Sequence, residues 1–123
     1  MKILIVDDDK RIRKMMTAAI ADLATEVIEC SDGDLALDAY ARHLPDWVLM
    51  DLNMPNVDGI TATYQIHLAY PYAKIVIVTS YDSTALRQAA ESAGAVGYIL
   101  KDNLADLAII IVEPRPLVGN VGR

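Results

Sequence analysis

Five short apolar runs alternate with helix-patterned segments along this chain, and no other feature of the sequence narrows its fold as much. The runs are KILIV (2–6), EVIEC (26–30), WVLMD (47–51), KIVIVTS (74–80) and VGYIL (96–100). Such runs, bounded by turn or charged residues, read as strands covered on both faces; EVIEC, with two Glu, is the weakest. Between them apolar residues return at helical spacing. Ile12, Met15, Met16, Ala19, Ile20 and Leu23 share one helix face. Leu35 to His43 reads as a short helix with Leu35, Ala39 and Tyr40 on one side, stopped by Pro45. Further helices are expected from about Ile60 to Ala69, closed by Pro71, and from Thr84 to Ala93, with Gly94 as C-cap. The last spans Asn103 to Val112 and ends at Pro114. Five strand–helix units in succession predict a doubly wound parallel α/β sheet.

Length and composition bound what such a domain can do. The 123 residues are 54% hydrophobic, enough for one domain with one real core. The net charge of −6 disfavours binding to nucleic acid by this chain alone, and KRIRK (10–14) reads as a solvated helix face. A single cysteine, Cys30, rules out an internal disulfide and fits a reducing compartment; with no His near it in sequence it reads as a strand residue, not a nucleophile. No signal peptide is recognised, and no apolar run reaches the ~20 residues needed to span a bilayer, so the expectation is a cytoplasmic protein without membrane contact. EPRPLVGNVGR (113–123) reads as a tail or a truncated linker after a domain at 1–112.

In an open parallel sheet, ligands bind beyond the carboxyl ends of the strands. Asp7 and Asp8 follow the first run, Asp51 ends the third, Thr79 and Ser80 end the fourth, and Lys101 follows the fifth. The second run ends in nothing reactive, only Cys30 and Ser31. With the strand order 2-1-3-4-5, Asp7, Asp8, Asp51 and Thr79 would meet in one pocket, with Lys101 reaching in. Three carboxylates so close call for a counter-ion. Mg²⁺ suits oxygen ligands of this kind, and a hydroxyl and an ammonium beside it suit a phosphoryl group. A carboxylate can itself be the nucleophile, and Asp51 holds the central position. Asp9, at the start of the first helix, reads as an N-cap.

The stretches ILIVDDD, VLMDLNMPNVDG, IVIVTSYD and GYILKD resemble the receiver domain of bacterial two-component response regulators over about residues 1–112. The resemblance implies a flavodoxin-like (βα)5 fold and a switch protein that catalyses its own phosphorylation and dephosphorylation, not a metabolic enzyme. It implies Asp51 as phosphoacceptor from a sensor histidine kinase, a phosphotransfer protein or a small phosphodonor. Asp8 would ligate Mg²⁺ directly and Asp7 through water, with Asp51 and the backbone carbonyl of Asn53 as further ligands. Thr79 would hydrogen-bond the phosphoryl group and Lys101 would pair with it. Tyr98 matches the switch aromatic, which turns inward as Thr79 moves and so remodels the face of the fourth helix, fifth strand and fifth helix. Tyr81, two residues past Thr79, is placed to hinder water at the phosphoryl group.

Three departures stand out. Asp102 follows Lys101 where many receivers have proline. YILKD resembles the subset usually joined to a helix-turn-helix output domain that would control transcription, so the chain reads as a stand-alone receiver or a piece cut at the linker. In the last helix Leu104, Leu107, Ala108 and Ile111 already supply an inward face, and Ile109, Ile110 and Val112 add apolar surface elsewhere. That surface is either covered by the chain's own tail or a contact for a partner or for a homodimer. Competing readings are a docking-only pseudo-receiver, a nucleotide or flavin binder, and a Mg²⁺ phosphohydrolase with an Asp nucleophile. The acceptor set argues against the first. The second lacks a glycine-rich phosphate loop, and the third wants an acid where Asn53 stands.

Overall fold

The computed structural model describes residues 1–112, and the expected tail at 113–123 lies outside the described residues. Five parallel strands, β1 (Lys2–Val6), β2 (Glu26–Cys30), β3 (Trp47–Met50), β4 (Ile75–Thr79) and β5 (Gly97–Leu100), form one sheet in the order β2-β1-β3-β4-β5. The helices are α1 (Lys10–Ala19), α2 (Ala36–His43), α3 (Gly59–Ala69), α4 (Thr84–Ala93) and α5 (Asp106–Val112). The flavodoxin-like sheet and order match the expectation. Alternate strand residues feed two cores. Leu4, Val6, Val48, Met50, Ile75 and Ile77 meet Ala36, Ala39 and Tyr40 of α2, Ala62 and Ile66 of α3 and Ala90 of α4. Ile3, Ile5, Trp47, Leu49, Val76, Val78 and Ile99 meet Met16 of α1, Ile20 just after it, and Leu107 and Ile111 of α5. Each fully buried Leu, Ile, Val or Met contributes about 1.5–3 kcal/mol, so the continuous apolar strands are what holds the sheet between its helices.

Several boundaries differ from the sequence pattern. Helix α1 ends at Ala19, and Leu23 packs from a following turn whose N–H reaches the Ile20 carbonyl at 3.0 Å. Met15 is not on the buried face but 52% exposed, because Met16 and Ile20 define the inward stripe. Leu35 is likewise exposed, since Gly33–Leu35 is a 3-10 turn and α2 begins at Ala36. The last helix starts late, after a 3-10 turn at Lys101–Asn103. There Ile110 packs against the core, while Ile109 and Val112 stay exposed. KRIRK is only partly a solvated face. Arg13 turns in, donating to the Asp7 carbonyl and to Glu29, each at 2.7 Å.

Gly94 closes α4 in the left-handed region at φ 116, where a Cβ would also stand 2.5 Å from the His67 ring of α3. Gly94→Ala is expected to cost about 1–3 kcal/mol, read as a lower urea midpoint with an unchanged slope.

Candidate functional site

The order β2-β1-β3-β4-β5 places the carboxyl ends of β1, β3 and β4 side by side, and each end delivers a polar group. Asp7 follows β1 and is fully buried; its Oδ1 accepts the Asp9 N–H at 2.8 Å. Asp51 follows β3, is 4% exposed, and is tied to β1 by its N–H on the Val6 carbonyl at 2.9 Å. Thr79, the last residue of β4, is also buried, and its Oγ1 accepts the Tyr81 N–H at 3.1 Å. Lys101 follows β5 and bridges the two acids: its Nζ stands 3.0 Å from Asp7 Oδ2 and 3.0 Å from Asp51 Oδ1. Asp8 is exposed at the rim. Asp7, Asp8 and Asp51 each offer a carboxylate oxygen within 4.8 Å of the others. Asn53, Thr79, Tyr81 and Lys101 complete an open cavity of about 250 Å³ over these acids.

The electrostatics follow from this packing. Burial, then the Asp7 charge, push the Asp51 carboxyl up to about 6, against the opposing pull of Lys101. Burial pulls Lys101 down, but its bonds to Asp7 and Asp51 outweigh this and raise it overall. The three carboxylates offer hard oxygens close enough together to share one small divalent cation, so these residues fit Mg²⁺.

Asp9 also lines this cavity but is not one of the three convergent carboxylates; it caps α1, accepting the Arg11 N–H at 2.8 Å. Cys30 is buried, with its Sγ 3.8 Å from the Leu35 carbonyl, as expected of a strand residue. Tyr98 points inward, 7% exposed, and its hydroxyl donates to the Tyr81 carbonyl at 2.6 Å. The Arg87 guanidinium of α4 covers its ring, 4.3 Å from the centroid. Sequence reasoning missed Asp32. This buried residue stands beyond the end of β2, where nothing reactive was expected, and accepts the Asn56 and Val57 N–H groups at 3.1 and 3.0 Å. Its signal was an Asp-Gly pair at a strand's carboxyl end, which reads as ordinary turn chemistry.

A flavodoxin-like domain with an acid–lysine cavity at the carboxyl edge of its sheet is the class that fold and site define. The family model of the response regulator receiver domain matches residues 3–112. The chain is 36% identical over 106 residues to the chemotaxis protein CheY of Bacillus subtilis (strain 168), covering 85% of this chain and 88% of CheY. It is 32% identical over 114 residues to the transcriptional regulatory protein DegU of Brevibacillus brevis, covering 91% of this chain and 48% of DegU, so it spans about half of that relative's length. A LuxR-family two-component response regulator from Aurantimonas sp. SI85-9A1 superimposes with a TM-score of 0.84 at 30% identity, over 98% of this chain and 91% of that one. The chain belongs to the response regulator receiver domains of two-component systems, a family of switch domains rather than metabolic enzymes. No helix among the described residues is long and apolar enough to cross a membrane.

A carboxyl whose pKa is raised on folding binds its proton more tightly in the folded chain than in the unfolded one. Stability therefore falls as pH rises from the usual value of 3.8 to about 6, where Asp51 loses that proton. In metal-free protein, Asp51→Asn lacks this cost. It is expected to melt higher than the native chain at neutral pH, by roughly 5 °C for each 1 kcal/mol, with the gap closing below about pH 4. A gap independent of pH would assign the effect to packing instead.

Proposed function

We propose that this chain is a phosphoacceptor receiver in which Asp51 takes a phosphoryl group from a sensor histidine kinase or phosphotransfer protein, and that phosphorylation controls an output, transcription. The observation that carries this reading is the Lys101 ammonium held between two buried carboxylates, one of which, Asp51, faces an open acidic cavity. An Asp51 oxygen forms the new bond to phosphorus as the donor's P–N bond breaks. Asp7, Asp8, Asp51 and the backbone carbonyl of Asn53 would hold Mg²⁺, which when bound neutralises charge on the phosphoryl oxygens. Asp7 already gives one oxygen to the Asp9 N–H and the other to Lys101, which supports a water-mediated role for it and a direct one for Asp8. Lys101 would then pair with the phosphoryl group, and the Thr79 hydroxyl, whose proton is not used by the Tyr81 N–H, would donate to it.

The readout in this proposal is the face of α4, β5 and α5. Tyr98 and Arg87 link β5 to α4 there, and the exposed Ile109 and Val112 of α5 offer apolar surface to a partner or a second copy. The domain would occupy residues 1–112 and act in the cytoplasm.

Incubation with acetyl phosphate and Mg²⁺ is expected to add one phosphoryl group by intact mass, and Asp51→Ala to abolish it. No adduct, or one that survives Asp51→Ala, overturns the reading. Asp8→Ala is expected to weaken Mg²⁺ binding at least tenfold, and Asp9→Ala hardly at all, because Asp9 is spent on its cap; calorimetric or NMR titration separates the two.

A further inference from the structure

The loop that carries Asn53 runs from Leu52 to Asp58 and is pinned at both ends. On the near side the Gly59 N–H donates to the Leu52 carbonyl at 2.8 Å. On the far side the anchor comes from a distant part of the chain. Asp32 Oδ2 accepts the Asn56 N–H at 3.1 Å and Oδ1 accepts the Val57 N–H at 3.0 Å, across 24 and 25 residues of sequence. Asp32 is 6% exposed, and the donors to it among the described residues are all backbone N–H groups. Its local bond, to the Asp34 N–H, is longer at 3.4 Å, so the better bonds are those to the loop. A buried carboxylate is costly unless hydrogen-bonded, and these charge-assisted bonds reach only while the loop holds its place. The next residue reinforces the contact. A Cβ at Gly33 would stand 2.3 Å from the Val57 carbonyl oxygen, so the two loops approach this closely only because Gly33 has no side chain.

Between the two anchors the loop has little freedom. Pro55 fixes one φ angle next to Asn56, and Met54 packs against the core. Asn53 itself is exposed at the acidic cavity. We propose that Asp32 is a positioning residue of the phosphoacceptor site: its carboxylate, with Gly33 beneath it, fixes the β3–α3 loop so that the Asn53 backbone faces the cavity of Asp7, Asp8 and Asp51. This rests on the phosphoacceptor reading above. Asp32 touches neither metal nor phosphoryl group; it acts through the backbone of Asn56 and Val57.

The test is Mg²⁺ titration of the ¹⁵N-labelled full chain, followed by amide shifts, with hydrogen exchange at Val57 as a second readout. Asp32→Ala is expected to weaken Mg²⁺ affinity about tenfold, in line with other outer-shell partners of metal ligands. Asp32→Asn, which keeps one acceptor oxygen, should fall between, and Gly33→Ala, which pushes Val57 away, should weaken binding in the same direction. Val57 exchange should quicken in all three. If Asp32→Ala fails to fold, Asp32→Asn decides. Faster Val57 exchange with native Mg²⁺ affinity would reduce Asp32 to a loop staple and overturn the proposal. A native chain that binds no Mg²⁺ would instead overturn the phosphoacceptor reading, and this inference with it.

Discussion

One ammonium group shared by two buried carboxylates organises the carboxyl edge of this domain. Asp7 and Asp51 each follow one of two neighbouring strands, whose ends are fixed by the register of Val6 with Met50. Burial and then repulsion from the Asp7 charge raise the Asp51 carboxyl to about 6. Lys101 relieves part of that repulsion at 3.0 Å from each carboxylate. The strand that delivers Lys101 is at the far edge of the sheet, next to β4 and two strands away from Asp51. The interaction therefore requires the whole crossover order, and a domain missing any of its inner strands would not assemble it.

Most of this was legible in the sequence because parallel strands leave a strong mark. Both faces of the sheet are buried, so the strands read as unbroken apolar runs, and polar residues at their ends stand out against them. Hence Asp7, Asp51, Thr79 and Lys101 stand out at the strand ends, and the strand order brings them to one cavity. Helix edges left a weaker mark. Met15 and Leu35 are apolar at nearly the right spacing, yet both lie one position from the true inward stripe and face solvent. Apolar residues on a protein surface are common, so periodicity alone could not remove them. The start of α5 was misplaced because a 3-10 turn has the same composition as a first helical turn.

Asp32 was hidden for another reason. Its importance lies in two backbone N–H groups far along the chain, and backbone donors have no letter in a sequence. A short polar residue before glycine in a turn needs no further explanation locally. Only the approach of the two loops distinguishes a turn residue from a brace between them.

The bonds around Tyr81 have a consequence for how such a switch could diversify. Its N–H leans on the Thr79 hydroxyl, and its carbonyl holds the Tyr98 hydroxyl. The link from the buried threonine to the buried aromatic thus passes through the main chain of residue 81, while the side chain of that residue stands half in solvent over the cavity. In the proposed switch, transmission would run through the main chain of this residue and shielding through its ring, so the two would be carried by different atoms. If the proposed switch holds, a lineage could exchange the ring at this position to set how long a signal persists while keeping the main-chain bonds to Thr79 and Tyr98.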